Sequence, residues 1–405
     1  MGLFFKKKKE EKKYQRFKRV FVIVLDSVGI GEADDAGAWD DINAHTLKHT
    51  LECTTHQFKN LAKFGLFNLL EDKDINTMSY YCKGKPKSNG KDTLTGHLEM
   101  MGVYTDVPFR TFTENGFPSK LIKELEIKTG RKIIGNCNAS GTEIIERLGE
   151  EHIKTGSIIV YTSADSVLQV AAHESVIPLE ELYRICEIAR KYTLKDEWKV
   201  GRVIARPFTG EPGKFVRTAG RHDYALDPKE PTVLDKLKAK NLDVISVGKI
   251  ADIFNNNGIT ESNKTVDNTD GIRHIMNMVR RDFTGLCFIN LNDFDSKYGH
   301  RRDAVGYADA LREFDEAIPH MLSRLTDEDL LIITADHGND PTFRGTDHTR
   351  ENVPVFIYSS SFRNPGRLEN FETFANIGAT IAENFNVEKP SIGESVLRKL
   401  KWLKN

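Results

Sequence analysis

Four apolar, β-branched segments of the chain are each followed by charged side chains. Such runs predict strands that are covered on both faces of a parallel sheet. In open α/β sheets, ligands bind at the carboxyl ends of the strands, so the residues that follow these segments are candidates for a functional site. The four segments are 19–25, followed by Asp26; 242–247, followed by Lys249; 286–291, followed by Asp293 and Asp295; and 330–334, followed by Asp336 and His337.

Strands and helices alternate along most of the chain, which predicts an α/β fold with a doubly wound, mostly parallel sheet core. We expect a Lys-rich N-terminal arm over 1–17, a core formed by 18–108 and 227–405, and a smaller inserted α/β cap over 109–226. The other predicted elements are helices over 45–70, 121–132, 179–192, 271–282, 305–324, 370–384 and 396–403, strands over 157–161, 200–205 and 353–358, and a polar loop over 78–92.

The 405-residue chain carries 58 Lys and Arg against 59 Asp and Glu, a net charge of -1. This balance argues against a protein that coats nucleic acid and favours a monomer. No apolar run approaches the length that crosses a membrane, so we expect no membrane partner. Five cysteines without a C-x-x-C motif favour reduced thiols in a cytoplasmic protein. The segment Met1–Lys13 is expected to be a solvated arm, with weak attraction to an acidic surface as the alternative.

The segment Gly90–Glu99 places two hydroxyl groups, a carboxylate and a histidine close together. The spacing of Leu94 and Leu98 predicts a helix that begins near Thr93. A helix N-terminus favours a phosphate group, but a threonine hydroxyl is a poor nucleophile unless a base or metal activates it. Thr93 is therefore either a nucleophile or only a helix cap, and spacing does not separate it from Thr95.

The polar residues after the predicted strands form a set of carboxylates and imidazoles without a thiolate. Such a set suits Mn²⁺, Mg²⁺ or Zn²⁺, and it is large enough for two ions. Two ions about 4 Å apart would activate an attacking oxygen and hold a phosphoryl group. Spacing alone leaves Asp293 and Asp295 equivalent, and Asp26 alone also fits a turn. The candidate ligands are Asp26, Asp293, Asp295, His300, Asp336, His337 and His348.

These motifs resemble the metal and nucleophile motifs of the alkaline phosphatase superfamily, and more closely those of the phosphopentomutase family. The resemblance covers nearly all of 18–400. The segments that carry it are Asp26–Gly31, Gly90–Thr93, Gly141–Glu143, Tyr161–Ser166, Gly201–Pro207, Arg221–Ala225, Asn292–His300, Ala335–Gly338 and Thr346–Thr349.

The resemblance implies an isomerase that interconverts ribose 1-phosphate and ribose 5-phosphate, and the 2-deoxyribose pair, in nucleoside salvage and deoxyribonucleotide catabolism. The reaction would use a phosphothreonine enzyme, a 1,5-bisphosphate intermediate, two Mn²⁺ ions and an activator of the glucose 1,6-bisphosphate type. The implied roles are phosphoryl transfer by Thr93; one manganese at Asp26, Asp336 and His337; the other at Asp295, His300 and His348; sugar contacts by Ser163 and Asp165; and phosphate contacts by Arg202 and Lys249, with Arg206 as a weaker candidate.

Two other functions remain open from the sequence. A metal-dependent phosphatase or another phosphosugar mutase of the same superfamily would use the same metal ligands and differ in the cap. A non-catalytic protein that binds metal or phosphate would keep its function after Thr93→Ala, because loss of a helix cap costs only about 0.5–2 kcal/mol.

Overall fold

The computed structural model describes residues 17–73, 75–163 and 166–402, which form two sheets flanked by helices. Within these ranges, no helix combines the length and the hydropathy needed to cross a bilayer. The strands are β1 (Arg19–Leu25), β2 (Tyr80–Gly84), β3 (Ile133–Asn138), β4 (Ile158–Thr162), β5 (Val167–His173), β6 (Arg202–Thr209), β7 (Val216–Arg217), β8 (His222–Ala225), β9 (Asp243–Val247), β10 (Glu261–Asn263), β11 (Gly285–Leu291), β12 (Asp329–Thr334) and β13 (Val353–Tyr358).

The helices lie between these strands in a broadly alternating order. They are α1 (Thr46–Glu52), α2 (Lys59–Phe64), α3 (Leu66–Leu70), α4 (Thr93–Met100), α5 (Ser119–Thr129), α6 (Gly141–Thr155), α7 (Leu179–Tyr192), α8 (Val233–Ala239), α9 (Ile250–Ile253), α10 (Asn268–Met278), α11 (Ala304–Leu322) and α12 (Ala375–Phe385).

The larger sheet has the strand order β10-β9-β11-β1-β12-β13-β2. Its first five strands are mutually parallel, and β13 pairs in antiparallel orientation with both β12 and β2, so β2 runs in the same direction as the first five. Strands β1, β11 and β12 are buried along their whole length, as their unbroken apolar sequences predict. The predicted α/β class with a mostly parallel main sheet is confirmed.

The smaller sheet has the order β3-β4-β5-β6-β7, and β8 pairs with the free edge of β6. Parallel pairs β3–β4 and β5–β6 alternate with antiparallel pairs in this sheet. One face packs against α5 and α7, and the other packs against α6. All of these elements come from within 109–226, although the domain boundaries themselves remain a prediction.

Three predicted elements differ from the structure. The helix expected over 45–70 is three short helices, because Gly65 takes a left-handed conformation (φ 108°) that ends α2. The polar loop expected over 78–92 contains β2, which pairs with β13 and forms isolated bridges with Arg367 and Phe371 on its other side. The closing helix expected over 396–403 is a single 3₁₀ turn, Leu397–Lys399, and residue 403 lies outside the described residues.

The predicted N-terminal arm ends too late by at least one residue. Phe17 is fully buried and packs against Phe362 and Trp402. Its backbone N–H donates to Asn384 Oδ1, so the chain already belongs to the core here. Residues 1–16, which carry the lysine run, lie outside the described residues.

Candidate metal centre

The charged residues predicted at the strand ends lie along one edge of the larger sheet. Strands β1, β9, β11 and β12 are parallel, so their carboxyl ends share that edge, as the sequence predicted. Asp26, Asp295, Asp336 and His337 are all at least 97% buried. Burial of this many ionisable groups is unfavourable unless opposite charges or cations compensate them.

The first group of candidate ligands, as the resemblance implied it, is Asp26, Asp336 and His337. His337 Nε2 lies 3.4 Å from Asp26 Oδ1 and 3.4 Å from Asp336 Oδ2. The remaining carboxylate oxygens are held by neighbours: Asn290 Nδ2 donates to Asp26 Oδ2 (2.9 Å), and the Ser27 N–H donates to Asp336 Oδ1 (3.1 Å). Each carboxylate therefore has one oxygen fixed and the other directed at the shared site.

The two oxygens directed at the site, Asp26 Oδ1 and Asp336 Oδ2, accept no backbone or amide hydrogen bond within the described part of the chain and face only imidazole nitrogens, that of His337 at 3.4 Å and, for Asp336, that of His97 at 3.1 Å. Burial raises the pKa of Asp26, and the charge of Asp336 raises it further. Burial alone would lower the pKa of His337, but Asp336 and Asp26 raise it to about 10. Buried carboxylate oxygens without donors beside an imidazole are the arrangement that a divalent cation satisfies.

The second group consists of Asp295, His300 and His348, with one ligand atom of each within 4.8 Å of the others. His300 Nε2 is 3.2 Å from Asp295 Oδ2, and His348 Nε2 is 3.2 Å from Asp295 Oδ1. Burial would raise the pKa of Asp295, but the two imidazoles hold it well below its usual range. Asp26, Asp295 and His337 also satisfy the same distance limit, so the two groups are contiguous.

The structure separates Asp295 from Asp293, which spacing could not do. A single π-helical segment, Phe294–Gly299, follows β11 and turns Asp295 toward the histidines. Asp293 points elsewhere: its Oδ2 accepts the Asn268 N–H at the start of α10 (2.9 Å) and pairs with Lys297 Nζ (2.9 Å). Asp293 is thus part of the support for α10 and lies in neither ligand group.

Thr93 occupies the first position of α4, and its neighbour Asp92 caps the helix. Asp92 Oδ1 accepts the Thr95 N–H (3.0 Å) and Asp92 Oδ2 accepts the Thr95 hydroxyl (2.6 Å). The alternative that Thr93 is only the helix cap is therefore wrong. Its Oγ1 lies 3.1 Å from His337 Nε2, at the border of the first ligand group, whereas the Thr95 hydroxyl is engaged by Asp92.

His97 is the histidine of the segment Gly90–Glu99, to which the sequence analysis assigned no role. It is fully buried, and its Nδ1 lies 2.9 Å from the Thr93 carbonyl oxygen and 3.1 Å from Asp336 Oδ2. The side chain thus joins the first turn of α4 to a ligand carboxylate. Its position four residues after Thr93 on a helix was the available signal, because residues i and i+4 share a face.

Arg350 fixes the loop that leads into α4, a role that the sequence did not indicate. Its guanidinium is buried and donates to the carbonyl oxygens of Pro86 (3.1 Å), Ser88 (2.9 Å) and Gly90 (2.5 Å). It also makes a bidentate pair with Asp35, with both N–O distances 2.9 Å. One side chain therefore holds the segment 86–90 immediately before Thr93.

The predicted substrate-binding residues are partly brought together. A cavity beside Thr93 is lined by Arg202, Lys249 and Ser166, so two residues of the smaller sheet unit face Thr93. Arg206 does not line this cavity, and neither does Ser163, whose Oγ accepts a hydrogen bond from Gln169 (3.4 Å). Asp165 lies outside the described residues. Ser166 was not predicted.

Residues 18–389 match the model of the Metalloenzyme superfamily. The chain belongs to this superfamily. Its membership and the two contiguous ligand groups together support the use of divalent metal ions at this edge of the sheet. The carboxylate and imidazole donors, with two buried oxygens lacking hydrogen-bond donors, fit such ions.

Several solved structures are similar to this chain at low sequence identity. A protein from Pyrococcus horikoshii is 14% identical with a TM-score of 0.49, covering 92% of this chain and 98% of that one. Phosphoglycerate mutase from Leishmania mexicana is 13% identical with a TM-score of 0.43, covering 95% and 98%. Alkaline phosphatase from the Antarctic bacterium TAB5 is 11% identical with a TM-score of 0.35, covering 93% and 99%.

Proposed function

We propose that this metalloenzyme is a phosphopentomutase, which moves a phosphoryl group between the 1 and 5 positions of ribose and 2-deoxyribose. The observation that carries the proposal is the position of Thr93. Its hydroxyl lies at a helix N-terminus, 3.1 Å from His337 Nε2, and borders a cavity that Arg202 and Lys249 also line. A nucleophile beside a metal centre and two cationic side chains suits a phosphorylated substrate.

Two Mn²⁺ ions, held by Asp26, Asp336 and His337 and by Asp295, His300 and His348, would stabilise negative charge on the phosphoryl oxygens when bound. Each of these side chains is fixed by its surroundings before a ligand arrives. Asn290 orients Asp26, and Asn339 Nδ2 donates to Asp295 Oδ1 (2.8 Å). This arrangement lets the ligands act without reorganisation during the reaction.

The transfer begins with a phosphoryl group on Thr93. The free hydroxyl oxygen of a pentose phosphate forms a bond to that phosphorus as the bond to Thr93 Oγ1 breaks, giving a 1,5-bisphosphate. The sugar then turns within the cavity, and Thr93 Oγ1 accepts the other phosphoryl group. Throughout, the N-terminus of α4 favours the anion at Thr93, while Arg202 and Lys249 bind the remote phosphate.

The smaller sheet unit supports a mutase over a phosphatase, since it can exclude water from the intermediate. Gly201 lies close enough to Leu94 that a Cβ there would be 3.1 Å from Leu94 Cδ2, so β6 approaches α4 next to the nucleophile. Contact of this kind limits the access of water to a phosphothreonine. A phosphatase or a different phosphosugar mutase of the superfamily is the alternative.

Peptide mass spectrometry of the manganese-loaded protein tests the proposal. The protein is incubated with glucose 1,6-bisphosphate, an activator of the expected class, and then with ribose 5-phosphate. We expect a phosphate on the peptide that contains Thr93, which exchanges with the pentose while ribose 1-phosphate forms and little inorganic phosphate is released. Thr93→Ala should remove the modification and lower turnover by orders of magnitude.

Thr95→Ala is the matched control, because it removes a hydroxyl from the same helix turn. It loses the hydrogen bond to Asp92 and one buried methyl group, at a cost of about 2 kcal/mol in folding free energy, and should still become phosphorylated. Phosphate that is lost to water at the rate of its transfer would identify a phosphatase. A folded, metal-loaded protein that never becomes phosphorylated would contradict both activities.

A further inference from the structure

The N-terminus of α6 opens onto the face of the smaller sheet that carries Arg206. Ser140 caps this 15-residue helix by accepting the Glu143 N–H (3.3 Å), and the preceding N–H groups have no acceptor within the helix. Gly141, its first residue, lies under two side chains: an added Cβ would collide with Tyr161 Oη and Arg217 Nη2. Glycine therefore leaves room for polar groups to converge at the helix end.

Tyr161 is the second, independent observation at this point. The side chain is 1% exposed, on the interior strand β4, and its hydroxyl has no hydrogen-bond partner in the described chain. A buried hydroxyl without a partner costs about 1–3 kcal/mol, so tyrosine in place of phenylalanine is unfavourable unless something accepts its proton. Arg206 Nε, from β6, is buried and also lacks a partner.

The charge around this hydroxyl is positive. Arg206, Arg217 and Arg221 all act electrostatically on Tyr161, opposing the rise in its pKa that burial causes. Asp223 pairs with Arg221 (2.7 and 2.8 Å) and lies 3.6 Å from Arg202. Within the described residues, neither Arg206 nor Arg217 has a carboxylate oxygen within ion-pair distance, and Asp223 acts on Arg206 only from further away.

One acidic residue lies near the helix end without neutralising it. Glu143 is in the first turn of α6, but its carboxylate pairs with Arg147 one turn further along the helix (3.5 Å). A helix N-terminus, a buried hydroxyl donor and two unpaired guanidinium groups all favour the same ligand chemistry, a tetrahedral dianion with several acceptor oxygens.

We propose that Tyr161, Arg206 and Arg217, together with the N-terminus of α6, bind a phosphate group at a site separate from Arg202 and Lys249. Arg202 and Arg206 lie on the same face of β6, four residues apart, which is about 13 Å along a strand. The ligand is either free inorganic phosphate or the phosphate of a sugar phosphate. Binding does not require Thr93 to carry a phosphoryl group.

The test measures phosphate binding to the full, manganese-loaded chain by equilibrium dialysis, first with inorganic phosphate and then with ribose 5-phosphate. Tyr161→Phe removes only the hydroxyl and keeps the ring that packs in the core, so it retains the fold. Arg206→Gln removes one guanidinium. Arg184→Gln is the matched control, because Arg184 is an exposed arginine of α7 in the same unit, 4.0 Å from Glu181.

We expect Tyr161→Phe to weaken one phosphate site about tenfold and Arg206→Gln to weaken it roughly tenfold to hundredfold, with Arg184→Gln unchanged. Weakening with inorganic phosphate alone identifies a free-phosphate site, and weakening with both ligands identifies a sugar phosphate site; either supports the proposal. Equal affinities in all four proteins for both ligands overturn it. A failure of Thr93 phosphorylation would leave these affinities unaffected, so the two proposals fail separately.

Discussion

The carboxyl edge of the larger sheet and the Arg202–Arg206 face of the smaller sheet differ in charge and in burial. The edge is acidic and buried, whereas the face is basic and partly exposed. At the edge, carboxylates and imidazoles are almost completely buried and lie within 3.2–3.4 Å of each other. On the face, the guanidinium groups of Arg202 and Arg206 are only partly buried, and Asp223 partly balances the former. A phosphate ester is bound by positive charge. The arginine side chains of the face supply that charge directly, whereas the acidic edge supplies it only through metal ions taken from solution.

This difference follows from the cost of burying each kind of charge. A cluster of buried carboxylates is unstable alone, so the edge depends on imidazoles and metal ions for compensation. Arginine retains its charge when half-buried and can bind a phosphate through two parallel hydrogen bonds. The edge is therefore suited to chemistry at one fixed point, and the face is suited to holding phosphate groups that come and go.

The largest predicted effect is at the acidic edge, where Asp295→Asn and Asp293→Asn form a matched pair two residues apart. Asp295→Asn removes the charge shared by His300 and His348, so we expect loss of one metal ion and a fall in phosphoryl transfer by about three orders of magnitude. Metal content by plasma mass spectrometry and turnover of ribose 1-phosphate measure the two effects.

Asp293→Asn should behave differently because Asp293 supports α10. It weakens the contacts with the Asn268 N–H and Lys297, which lowers the folding free energy by about 0.5–2 kcal/mol, and it leaves both metal ions bound. Equal loss of metal in the two variants would show that the second ligand group is wrongly assigned.

A smaller effect is predicted on the basic face. Arg202→Gln should raise KM for ribose 5-phosphate about tenfold to hundredfold and change kcat only a few-fold, because the remote phosphate is bound alike in the ground state and the transition state. Steady-state kinetics at saturating manganese measure both constants. A fall in kcat at unchanged KM would instead place Arg202 in contact with the phosphoryl group that is transferred.

The position of these residues at one edge of the sheet could be predicted from the sequence, because they follow strands whose apolar composition indicates burial. Asp26, Asp336 and His337 come immediately after unbroken apolar runs, and parallel pairing then brings them together without detailed knowledge of loops. The choice of Asp295 over Asp293 depended on a π-helical segment, for which local sequence carries little signal.

The residues whose roles the sequence did not indicate act over long separations in the chain. Arg350 holds a loop more than 250 positions away, and His97 meets Asp336 only through the packing of α4 against the sheet. The short helices α1 to α3 were merged into one because their apolar spacing is continuous, while the breaks depend on Gly65 and on the loop before Phe58. Tertiary contacts of this kind override local patterns.

The smallest predicted effect concerns the stability of the smaller sheet unit at mildly acidic pH. His152 is fully buried in α6; its Nδ1 donates to the Ser157 carbonyl oxygen (2.5 Å), and its Nε2 accepts the His173 N–H (2.8 Å). The contact with the His173 N–H needs the neutral ring, because a protonated Nε2 cannot accept a hydrogen bond, and burial lowers the pKa of His152. The unfolded chain binds a proton at this histidine below about pH 6.5 while the native chain does not, so stability falls as the pH falls.

We therefore expect the wild-type protein to lose up to about 1.4 kcal/mol more folding free energy than His152→Gln for each pH unit below about 6.5. Urea unfolding followed by circular dichroism at pH 7.5, 6.5 and 5.5 gives the comparison, and the difference between the two proteins isolates this one group from the other histidines. Glutamine can donate and accept one hydrogen bond without taking up a proton, so it preserves the contacts at neutral pH. Parallel pH profiles for the two proteins would contradict this prediction, because they would show that His152 can be protonated in the native state. The contact with the His173 N–H supports the prediction, since a protonated ring would place two hydrogen-bond donors face to face.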